Sequence, residues 1–258
     1  MLFQIKSFFK FLVKSTNQHG VHSPFVFDLV TNCFYDTDPK KWYYEASSFR
    51  SYLMVNRSKI TVEDFGAGSK KLQANTREIA RIAKNAGISK KRGQLLGRLV
   101  DYLDVNHVLE IGTSLGIATA CMHLSKPETN IISLEGCRQT ATVALESFQK
   151  FNFKNIDVVI GNFEDTLPEA LAKTPFDCIY FDGNHQKEPT INYFEQCLKH
   201  INNNSMFIFD DIYWSKGMAE AWEFIKNHPK VTVSIDTFYW GIVFFHKEQP
   251  KQHFTIRV

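Results

Sequence analysis

Val108-Leu109-Glu110-Ile111-Gly112-Thr113-Ser114-Leu115-Gly116-Ile117-Ala118-Thr119 is a short apolar run that ends in a glycine-bounded turn and passes directly into a helical pattern. Read as strand, tight turn and helix, it places the backbone amides and hydroxyls of Thr113 and Ser114 at a helix start, where a carboxylate or phosphate can be held. The same alternation recurs downstream. Apolar runs at 107–111, 130–134, 156–160, 178–181 and 206–209 are separated by helical patterns at 115–124, 137–151, 164–172 and 188–200. A further helix follows at 216–227, and then runs at 231–235 and 241–245. Strands spaced by helices imply parallel βαβ units. The last two runs are joined by too few residues for a crossover helix, so they should form an antiparallel hairpin. The expected fold class is α/β: a Rossmann-like, seven-stranded, mostly parallel sheet with an antiparallel last strand, helices on both faces and an N-terminal helical cap.

In such a sheet, ligands bind beyond the carboxyl ends of the strands, which selects the residues directly after each run. Gly112 to Gly116 follow the first. Glu135 follows the second and is suited to accept from both hydroxyls of a ribose. A glycine turn with a following acid serves a nicotinamide dinucleotide as well as any other nucleoside cofactor, and two unrelated loops would look the same. Asp182 follows the fourth run, and Asp210 with Asp211 follows the fifth. Three carboxylates at neighbouring strand ends suit an oxygen-preferring ion such as Mg²⁺, Ca²⁺ or Mn²⁺. The competing reading makes Asp211 a helix cap and leaves Asp210 in solvent. His185 stands three residues after Asp182 as a base, a fourth ligand or a loop residue.

Taken together, VLEIGTSLGIAT at 108–119, SLEG at 133–136, IGNFEDTLP at 160–168, YFDGNH at 180–185, FDDIYW at 209–214 and the preceding Gly93-Gln94-Leu95-Leu96 resemble the class I methyltransferases. Within these they are similar to the catechol- and caffeoyl-CoA-type O-methyltransferases and their bacterial relatives, over residues 89–246. The resemblance implies S-adenosylmethionine as cofactor. Glu110, Gly112, Thr113, Ser114 and Gly116 would surround its methionine part, Glu135 its ribose, and Asn162 and Phe163 its adenine, with Asp182 also at the cofactor. It implies a divalent ion on Asp182, Asp210 and Asp211 that binds the acceptor's oxygens, and His185 where those enzymes carry a proton-accepting lysine. Two positions depart from the family: Asn162 replaces an Asp, and Asp211 replaces an Asn and adds a charge. A dehydrogenase would want GxGxxG where this chain has GTSLG.

The remainder bounds the partners. Residues 1–75 read as a helical and loop-rich cap, a candidate acceptor lid, ahead of a methyltransferase domain over 76–258. Net charge is +3, but the first hundred residues carry +10 and the rest −7. That basic front allows nucleic-acid contact, an acidic substrate, or simple complementarity within the molecule. Lys6, Lys10 and Lys14 lie along one face of a helix over residues 1–15, opposite Phe3, Phe9, Leu12 and Val13. Docking of the aromatic face on the protein's own body is expected, with peripheral membrane contact as the alternative. The glycine loop Asp64-Phe65-Gly66-Ala67-Gly68-Ser69-Lys70-Lys71 lacks phosphate-loop spacing. Helical patterns from Thr76 to Leu103, broken at Asn85-Ala86-Gly87 and capped by Ser89, mimic a DNA-reading pair. His19 and His22 lack further ligands at useful spacing. Five scattered cysteines without a CxxC pair point to a reducing cytoplasm rather than a disulfide framework or thiolate zinc site. A small-molecule acceptor and a homo-oligomer complete the expectation.

Overall fold

The computed structural model describes residues 2–63 and 75–258; the glycine loop at 64–71 lies outside them. The helices are α1 (Leu2–Lys14), α2 (Pro24–Leu29), α3 (Lys41–Val55), α4 (Ile79–Asn85), α5 (Lys90–Tyr102), α6 (Ile117–Ser125), α7 (Arg138–Lys150), α8 (Phe163–Leu171), α9 (Lys187–Cys197) and α10 (Lys216–Asn227). The strands are β1 (Lys59–Thr61), β2 (Thr76–Glu78), β3 (His107–Ile111), β4 (Asn130–Glu135), β5 (Ile156–Ile160), β6 (Cys178–Phe181), β7 (Met206–Asp210), β8 (Val233–Asp236), β9 (Trp240–Phe244) and β10 (Gln252–Thr255). They build a Rossmann-like α/β fold with a mostly parallel sheet. Two compact units make it up, residues 37–173 and residues 1–36 with 174–258, so the front segment contributes to both.

In the unit 37–173, β3, β4 and β5 are parallel neighbours, with Glu110 opposite Ser133 and Glu135 opposite Ile160. β3 is buried from Val108 to Ile111, as expected of a strand covered on both faces. α6 is buried from Ile117 through His123, which is why its sequence is apolar all round. α5 begins as its sequence predicts: Ser89 caps it by accepting from the Arg92 amide at 3.4 Å, and it buries Leu95, Leu96, Leu99 and Val100. The expected helix start at Thr76 is instead β2, which pairs antiparallel with β1. The remote partner segment decides that pairing, against the local pattern.

In the other unit, β6 and β7 are parallel, with Phe181 opposite Phe209. β9 runs antiparallel to both β7 and β8, which is the expected hairpin. An additional strand, β10, pairs parallel with β8 and extends the sheet past the expected last strand. Ser7 and Phe11 of α1 are buried, and the Phe8 and Phe11 rings lie 4.9 and 5.6 Å from that of Phe238. The helix therefore docks on its own unit through an aromatic contact, but not by the expected face: Phe238 meets the side that carries Phe8 and Phe11, and Phe9 and Val13 are exposed. All five cysteines are free and buried. Among the described residues, no helix is long and apolar enough to cross a membrane.

Candidate functional site

The turn after β3 is held open by backbone that few side chains tolerate. Gly112, Ser114 and Gly116 have φ of 108, 49 and 75°, all in the left-handed region, and glycine relieves the strain at two of the three. The Gly112 and Thr113 amides both donate to the Leu134 carbonyl, at 2.9 and 3.1 Å. The amide of Ser114, between the two glycines, donates to Glu135 Oε2 at 2.7 Å. Glu135 Oε1 accepts from the Cys137 amide at 2.9 Å. This carboxylate thus ties the ends of β3 and β4 together before any ligand arrives.

Glu110 lies beneath the turn, fully buried. Its Oε2 accepts from Thr119 Oγ1 and Ser133 Oγ, each at 2.5 Å. Thr113 Oγ1 lies 2.5 Å from Ser133 Oγ and extends the chain of hydroxyls toward the turn. Glu110 Oε1 has no partner among the described residues. Burial raises the Glu110 pKa to about 7, against the lowering effect of the Ser133 and Thr119 bonds and with a smaller raising effect from Glu135. Ser133 and Thr119 were not among the residues expected from sequence; the register that sets Ser133 opposite Glu110 has no one-dimensional signal.

A stability consequence follows from that raised pKa. Between the ordinary value of 4.5 and about 7, the folded state holds a proton that the unfolded chain has released. Stability is therefore full below pH 4.5 and is lost as pH rises through 7. Removing the titration by Glu110→Gln should flatten the dependence, with a difference of about 2 kcal/mol between pH 5 and 8. Chemical denaturation at both pH values measures it, and parallel profiles for the two proteins would remove the assignment.

The Asn162 side chain accepts from the Glu164 amide at 3.3 Å and caps α8, while Phe163 is buried as the first residue of that helix. The loop after β4 is also lined by the front segment: the Thr61 amide donates to Gln139 Oε1 at 2.7 Å, and the Glu63 amide contacts Cys137 Sγ at 3.4 Å. Thr61 and Glu63 beside the Glu135 loop were likewise not foreseen.

In the unit holding β6 and β7, Asp182 and Asp210 follow the register-matched Phe181 and Phe209. Asp210 is buried. Asp211 has a φ of 52°, and its carbonyl accepts from the Trp214 amide at 2.8 Å. His185 Nε2 lies 3.8 Å from Asp182 Oδ1. Between these two residues, Asn184 has a φ of 53° and a buried Oδ1 without a partner among the described residues. Tyr213 donates to Asp236 Oδ2 at 2.5 Å; burial raises both of their pKa values. Among the described residues, no three His, Cys, Asp or Glu side chains are grouped so as to hold a metal ion.

Residues 109–212 match a family described as a methyltransferase domain. The chain is similar to the catechol O-methyltransferase of Mycobacterium tuberculosis, with 29% identity over 147 residues, covering 56% of this chain and 64% of that protein. It is also similar to the catechol O-methyltransferase of Niastella koreensis, with 26% identity over 146 residues, 55% of this chain and 65% of that one. The chain thus spans slightly less than two thirds of the length of these relatives. In fold it resembles an O-methyltransferase of Bacillus cereus in complex with S-adenosylhomocysteine (SAH), with a TM-score of 0.56, 18% identity, and coverage of 81% of this chain and 93% of that one.

Proposed function

We propose that the chain, whose residues 109–212 match a methyltransferase domain and which is similar to two catechol O-methyltransferases, uses S-adenosylmethionine to methylate an oxygen of a small, catechol-like acceptor. The observation that carries this reading is the Glu110–Gly116 turn, with a buried and unpartnered Glu110 oxygen below it and the Glu135 carboxylate fixed beside it. Those groups fit the cofactor. The Glu110 oxygen suits its ammonium, the turn its carboxylate, and the remaining lone pairs of Glu135 its ribose hydroxyls. Asn162 and Phe163 are proposed to meet the adenine.

The cofactor supplies an electrophilic methyl group on a sulfonium; the chain has to orient it and prepare the acceptor oxygen. His185, whose Nε2 lies 3.8 Å from Asp182 Oδ1, is proposed to take the proton of the acceptor hydroxyl. Asp210 ends β7 and Asp211 follows it.

The test uses the chain with methyl-labelled S-adenosylmethionine and catechol. Labelled methyl ether and SAH should form in equal amounts. Failure to bind SAH would sink the whole reading, and binding without label transfer to catechol or simple phenols would sink the acceptor. In the same assay, His185→Ala should lower kcat about a hundredfold. An unchanged kcat would remove His185 from the mechanism.

A further inference from the structure

α1 is apolar on two sides, and the fold covers one of them. The covered side holds Ser7 and Phe11, both buried, with Phe8 edge-on to Phe238 and Gln4 Nε2 bonded to the Trp214 carbonyl at 3.2 Å. At about 100° per residue, the opposite side presents Leu2, Ile5, Phe9 and Val13. These are 69, 47, 63 and 87% exposed. A helix that had only to dock would carry polar residues there, and a contiguous exposed apolar stripe marks a surface with a partner.

The charge pattern selects that partner. Lys6, Lys10 and Lys14 each stand one residue beyond Ile5, Phe9 and Val13, so they form a row along the border of the stripe, and all three are exposed. No Asp or Glu occurs between residues 2 and 14. We propose that this face of α1 lies flat on an anionic lipid surface, its apolar side chains in the boundary between headgroups and acyl chains and its lysines on lipid phosphates and carboxylates. Pairing α1 with α1 of a second copy would instead bring lysine rows together with no acid in either helix to answer them. The aromatic contact with Phe238 fixes the helix so that the apolar stripe faces away from its unit. The proposal concerns attachment only and is independent of the methyl-transfer reading.

Sedimentation of the full chain with phosphatidylcholine vesicles, with and without phosphatidylserine, tests it. The chain should pellet with the anionic vesicles alone, and high salt should release it. Each lysine is worth about a fivefold change in partitioning, so Lys6→Gln, Lys10→Gln and Lys14→Gln combined should lower binding about a hundredfold. Phe9→Ser with Val13→Ser should abolish it with an unchanged thermal midpoint, because neither residue belongs to the docked side. Three results would overturn the proposal: no binding to anionic vesicles, full binding by the triple lysine variant, or a lipid-free dimer that Phe9→Ser with Val13→Ser turns into a monomer. The last would assign the face to a second copy.

Discussion

Glu135→Ala is expected to weaken SAH binding by about a hundredfold or more, since hydrogen bonds to a charged group contribute about 1.5–3 kcal/mol each. Two losses combine. The proposed ribose contact is lost, and the Ser114 amide loses the bond at 2.7 Å that holds the turn in its left-handed conformation. The second loss occurs without ligand, so the variant should also unfold at a lower temperature than the parent. That separates anchoring from ligand contact: a carboxylate that served only the ribose would leave the free protein's midpoint unchanged. Glu135→Gln keeps one acceptor oxygen and should fall between, at about tenfold. Titration calorimetry with SAH measures both variants. Unaltered affinity in Glu135→Ala would remove the cofactor assignment at this residue and, with it, the main support for the turn as a cofactor site.

The sequence shows what is periodic or local and hides what depends on pairing. β3 could be read because its apolar run ends at Gly112, and α5 because Ser89 precedes an amphipathic run; caps and periods are written in neighbouring residues. The position of Glu135 at the end of the second apolar run was equally plain, although β4 includes it. Its bond to Ser114 was not, since it depends on β3 and β4 being adjacent. The same holds for Ser133 under Glu110, for Tyr213 with Asp236, and for β2 and β10, whose partners are remote in the chain. α1 illustrates the division within one element. Its lysine spacing revealed a helix, but which side docks was decided by Phe238 in the turn between β8 and β9. Asn162 shows the converse: a residue read for ligand contact already uses its side-chain oxygen to cap α8.

Gly116→Ala should cost about 3 kcal/mol of stability, from an αL backbone and a crowded core together. At φ of 75°, an L residue loses about 1 kcal/mol or more to its own Cβ. The remainder comes from Phe148, whose ring already occupies the space a Cβ would need. Phe148 cannot readily withdraw, because its ring lies about 6.0 Å from both Phe49 and Phe153 and it is 4% exposed. In a domain of this size, the loss should lower the thermal midpoint by roughly 10 °C. The two causes can be told apart in a double-mutant cycle with Phe148→Leu, which frees space beside the new methyl group but leaves φ as it was. The double variant should be more stable than the sum of the single effects by about 1–2 kcal/mol; strict additivity would place the whole cost in the backbone. The same cycle bears on function. If Gly116 is needed to bring the turn's amides to the cofactor's carboxylate, Gly116→Ala should lose SAH affinity, and Phe148→Leu should restore only the part due to crowding.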